Sequence, residues 1–122
     1  MIYYYYPTTS NLTNDINTAI GEIIKVVQYI EWNLLNRLGI NTFAEMTLGQ
    51  IVDMIRKSEI LPNDKVNSLE KILGKRNHLI HQYFKKLDFE KHSDNLSFLD
   101  NQKKYLNNFL TQAQSFNSWL CK

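Results

Sequence analysis

Apolar residues return at intervals of three and four along most of the chain, and nowhere do they alternate in the two-residue rhythm of a strand. Ile16, Ile20, Ile23, Ile24, Val27, Ile30, Leu34, Leu35 and Leu38 form the first such stripe. The spacing predicts a helix from about Asn14 to Leu38, with Ser10, Thr13 or Asn14 as the cap and Gly39 placed to end it. A linker around Ile40–Met46 has room for one short turn. Thr47 then caps a second helix, Leu48–Ser58, carrying Leu48, Ile51, Val52 and Ile55, and Leu61-Pro62-Asn63 breaks it. The third helix is expected from Asp64 to about Lys86, with Val66, Leu69, Ile72, Leu73, Leu79, Ile80, Tyr83, Phe84 and Leu87 on one face. Gly74 interrupts it at a cost of about 1 kcal/mol relative to alanine, which suggests a close approach by something else. After a polar connection, Ser97-Phe98-Leu99-Asp100 resembles a capping box for a last helix to about Trp119. The expected architecture is all-α: an antiparallel four-helix bundle with room for one extra short helix.

Two charged residues break the apolar stripes. Arg76 falls near the centre of the third helix's greasy face, between Leu73 and Ile80, while Asn77 and His81 line one shoulder and His78 points to the opposite, solvated side. Glu31 falls on the first helix's stripe beside Val27, Leu34 and Leu35. An unpaired guanidinium on an apolar face costs several kcal/mol, so Arg76 must find a carboxylate, a carbonyl or water. Glu31 is the natural partner. A structural bridge beneath the surface and a polar functional site are the two readings of such a pair.

Composition narrows the classes. The chain has 122 residues, 43% of them hydrophobic, which suits one globular domain over 1–122 with an N-terminal tail at 1–12. The net charge of +2 is too mild to declare a nucleic-acid binder alone. The distribution says more: Lys71, Lys75, Arg76, Lys85, Lys86 and Lys91 crowd around the motif against Asp88 and Glu90. Such a cluster is either a solvated helix end or a phosphate-attracting surface. The one cysteine, Cys121, excludes an internal disulfide framework and fits a reducing cytoplasm. No stretch of apolar residues is long enough for a membrane span. The run Met1-Ile2-Tyr3-Tyr4-Tyr5-Tyr6-Pro7 lacks the basic leader of a signal peptide. His78, His81 and His92 do not converge on one helix face, so no metal site and no cofactor is expected. Trp32 and Trp119 read as core or interface anchors.

The run Arg76-Asn77-His78-Leu79-Ile80-His81-Gln82-Tyr83 within a small helical bundle resembles the HEPN superfamily, and its Arg-x4-His-x-Tyr form is similar to HepT toxins. The resemblance implies a homodimer with a metal-independent endoribonuclease site, acting as a toxin or defence effector. Arg76 would neutralise the scissile phosphate, His81 would move a proton, and Asn77 would orient the phosphate or the imidazole. Glu31 would support the guanidinium, and Lys75, Lys85 and Lys86 would attract RNA. Tyr83 matches a tyrosine that a companion nucleotidyltransferase modifies in HepT-like pairs, so an antitoxin or nucleotidyltransferase partner is a further expectation. The alternative is a non-catalytic HEPN-like module that binds such a partner and cuts nothing. The chemistry is self-consistent: RNA carries its own nucleophile, so cleavage needs a base, an acid and a cation rather than a metal. Imidazole is the side chain whose ordinary titration spans neutral pH.

Overall fold

Side-chain caps decide where the helices begin. A computed structural model describes residues 8–40 and 46–122. In it Thr8 Oγ1 accepts from the Asn11 backbone N–H (3.1 Å), and α1 runs Thr9–Arg37. The helix therefore starts five residues ahead of Asn14, and Thr8 does the work expected of Ser10, Thr13 or Asn14. The last residues of the expected tail are helical, and Leu12 among them is buried. Gly39 ends the helix as its sequence position suggests. It takes φ +77°, while its N–H donates to Asn36 O and that of Ile40 donates to Leu35 O. That pair of bonds is a Schellman motif, which only a left-handed residue closes without strain.

The second helix, α2 (Leu48–Ser58), has the expected bounds and a reciprocal capping box between Thr47 and Gln50. The third, α3 (Asn63–His81), stops short of Lys86. Gln82 leaves the helical region at φ −136°, and Tyr83–Lys86 forms the separate single turn α4. The last helix, α5, spans Leu96–Leu120 and is capped by Asn95, whose Oδ1 accepts from the Phe98 N–H, rather than by Ser97. The expected turn within 41–45 and the tyrosine run at Tyr3–Tyr6 lie outside the described residues.

The protein is an all-α helical bundle. Paired side chains give the helix directions. Asp15 meets Lys103 (2.9 Å), Asn33 meets Asn117 (2.9 Å) and Arg37 meets the Leu120 carbonyl (2.7 Å). Numbers rise together on both helices, so α1 and α5 run parallel. Between α3 and α5 they run opposite: Lys65 lies over Trp119 and Lys75 meets Gln112. Thus α3 is antiparallel to both long helices, as the bundle expectation required, while the two long helices point the same way. One apolar cluster joins residues from all five helices, including Ile23, Ile30 and Leu34 of α1, Ile51 of α2, Leu69 of α3 and Leu106 of α5. Among the described residues no helix is long and apolar enough to cross a membrane.

Candidate functional site

The C-terminal half of α3 lies between two neighbours and shows each a different chemistry. Toward α1 it presents Arg76, Leu79 and Ile80, which meet Ile23, Ile24, Val27, Gln28 and Glu31 around a cleft of about 140 Å³. Leu79, Ile23 and Val27 are buried and form the floor. Arg76 and Glu31 are half-buried at its polar end. Ile24 and Ile80 form an apolar rim, 40% and 48% exposed.

Within this cleft the Arg76 Nη1 donates to Asn77 Oδ1 at 3.2 Å. Burial raises the Glu31 carboxyl above the usual carboxylate range, and the Arg76 charge pulls it partly back. Among the described residues the two do not close into an ion pair. The guanidinium is therefore oriented by a neutral neighbour and biased by a nearby carboxylate, with its charge still available at the cleft mouth. His81, the last residue of α3, is exposed five positions further on, so it stands about 7–8 Å along the axis from Arg76.

The structure gathers Glu31, Arg76 and Asn77, leaves His81 at the exposed end of α3 outside the cleft lining, and sends the other expected site residues elsewhere. Lys75 turns to α5, where its Nζ donates to Gln112 Oε1 (2.5 Å) and lies 5.7 Å from the Phe109 ring centre. Lys85 and Lys86 are exposed on α4. Tyr83 is 1% exposed, and its hydroxyl donates to Gln102 Oε1 (2.5 Å). Its ring stacks on Tyr105 at 5.9 Å and packs against Phe84 and Phe89. Burial, with the Tyr105 phenol adding to it, raises the pKa of that hydroxyl. In this arrangement Tyr83 is an anchor, and attachment of a nucleotide to its oxygen requires the 83–86 segment to lift off α5.

Three finer expectations change. His78 is half-buried rather than solvated, its ring edge-on to Tyr83 at 6.1 Å. Ile80 and Phe84 are exposed, not part of the internal stripe; after the break at Gln82 it is Tyr83 that turns inward. Gly74 is exposed, and a Cβ there would meet nothing within 4 Å, so no close approach by the described residues explains it. The cleft walls Ile24 and Gln28 were not expected as site residues. Both lie one or two turns before Glu31 on α1, the positions that share its side of the helix.

The two tryptophans divide. Trp119 is half-buried beneath the Lys65 ammonium (4.7 Å), whereas Trp32 is 38% exposed. Among the described residues no three His, Cys, Asp or Glu side chains converge. No family model, no curated protein and no solved structure matches this chain.

Proposed function

We propose that this protein is a HEPN-type endoribonuclease that acts as a homodimer, as a toxin or defence effector, and cuts RNA without a metal. The observation that carries this reading is the state of Arg76. Its guanidinium is bonded to Asn77 rather than bridged to Glu31, and it lines a surface cleft. A purely structural bridge would consume that charge; a phosphate site needs it free.

The chemistry follows from the groups available. Arg76, held by Asn77, binds the non-bridging oxygens of the scissile phosphate, where charge builds as the 2′-oxygen attacks phosphorus. One imidazole takes the 2′-OH proton, and a second protonates the departing 5′-oxygen as the P–O5′ bond breaks. The products are a 2′,3′-cyclic phosphate and a 5′-hydroxyl. Each chain carries one His81, so acid and base come from two protomers brought together on a two-fold axis. The exposed rim of Ile24 and Ile80 beside the cleft supplies apolar surface for that contact.

The test is cleavage of single-stranded RNA in excess EDTA by the wild type, Arg76→Ala and His81→Ala. The wild type should release 2′,3′-cyclic phosphate ends, with each variant slower by at least about a hundredfold and still fully helical. Equal cleavage by wild type and His81→Ala would remove His81 from the mechanism. Intact RNA with a folded, dimeric wild type would leave the second reading, a partner-binding module that uses the same apolar rim.

A further inference from the structure

On its other side, α3 forms a second groove with α5, of about 420 Å³, that the cleavage chemistry does not use. Three lysines of α3 line it: Lys65, Lys71 and Lys75. Thr111, Gln112 and Ser115 of α5 face them, with Ser68 between, and among the described residues no carboxylate is in the lining. We propose that this groove is a phosphate track that holds the backbone of a single-stranded nucleic acid.

Carboxylates three or four positions away on the same helix would offset the charge of such lysines. Of the two acids in α3, Asp64 sits in the first turn and Glu70 is bonded to Arg56 of α2, away from the groove. Lys71 and Lys75 are four residues apart, a like-charge spacing that destabilises the helix until an anion neutralises it. Among the described residues none of the three lysines makes an ion pair. Two are instead held in place by rings, Lys65 over Trp119 at 4.7 Å and Lys75 near Phe109 at 5.7 Å. Fixed, uncompensated ammonium groups beside neutral hydroxyls and an amide suit an anion.

The spacing selects the kind of anion. Lys65 to Lys75 is ten residues of helix, about 15 Å along the axis. Successive phosphates of a stacked strand advance about 3.4 Å each, so the row spans about four of them, more than one nucleotide's compact phosphates reach. That the strand is RNA rests on the reading above; that the groove binds a phosphate backbone does not.

The experiment uses a fluorescent oligothymidylate of about a dozen nucleotides, within the usual site size for single strands. It has no 2′-OH, so binding is read independently of cleavage. Anisotropy titrations over a salt series compare the wild type with Lys65→Ala/Lys71→Ala, with the charge-keeping Lys65→Arg/Lys71→Arg, and with Lys57→Ala on α2. The alanine pair should lower the slope of log K against log salt by about 1.4, at about 0.7 for each phosphate no longer neutralised. The arginine pair and Lys57→Ala should keep the wild-type slope. Three results would overturn the track: an unchanged slope in the alanine pair, no binding of the oligomer at low salt, or equal affinity for free ATP, which would mark a compact nucleotide pocket. Binding with no RNA cleavage would leave the track standing and remove the ribonuclease.

Discussion

The parallel pair α1/α5 and the C-terminal end of α3 carry similar apolar stripes and treat them oppositely. Along α1/α5 the stripe is covered except at Ile24: Ile23, Ile30 and Leu34 pack with Leu106, Phe109 and Ala113, and polar contacts such as Asp15–Lys103 lie outside it. At the end of α3 the stripe continues in sequence, but Arg76 interrupts it, Gln82 breaks it, and Ile80 and Phe84 remain on the surface. Covered stripe is stability. Under the proposed function, uncovered stripe around a half-buried charge is surface kept for a second molecule.

The strongest test of the covered side is Phe109→Ala. Phe109 is 1% exposed at the centre of α5, and truncation should cost about 3–5 kcal/mol through reduced burial and the cavity left behind. Urea denaturation would read it as a lower midpoint at unchanged slope. A cost below 1 kcal/mol or so would mean that the α1/α5 wall is not the stabilising half of the molecule.

The next effect in size lies at the junction between the two regions. Tyr83→Phe removes the hydroxyl that donates to Gln102 and keeps the ring against Tyr105 and Phe89. The expected loss is about 1 kcal/mol, since the half-exposed Gln102 amide recovers a water partner. A neutral substitution, with no added hydrogen exchange over 82–89, would show that this segment does not depend on the bond to α5.

Legibility in the sequence follows the same division. Where one stripe decides the structure, pattern and caps were enough: α2 has its expected bounds and Gly39 ends α1. Where several weak preferences compete, they were not. No glycine or proline announces the break at Gln82; aromatic packing of Tyr83 on α5, a contact distant in sequence, overrides local helix propensity. Asn95 and Ser97 are both competent caps, and so are Thr8 and Ser10, and the choice between them depends on where the chain enters the bundle. Arg76 and Glu31 were legible as anomalies because charge on an apolar stripe is rare. The lysine groove was not, because its other wall is α5, and the wheel of one helix does not show what faces it.

Glu31→Gln gives the smallest effect and separates a free guanidinium from a bridged one. Burial raises the Glu31 carboxyl, so the folded protein holds its proton more tightly than the unfolded chain does. Wild-type stability should therefore decline as pH rises from the ordinary carboxylate range through the raised folded value, and return on acidification. The glutamine variant keeps the shape and lacks that slope. It should match the wild type at acidic pH and be slightly more stable at neutral pH, where wild-type Glu31 is a half-buried carboxylate only partly compensated by Arg76. A bridged pair predicts the reverse sign, because removing one partner strands the other charge, and the variant would be weaker at neutral pH. Denaturant midpoints of the two proteins across this range would thus report on whether Arg76 is committed inside the fold or still has charge to offer a phosphate.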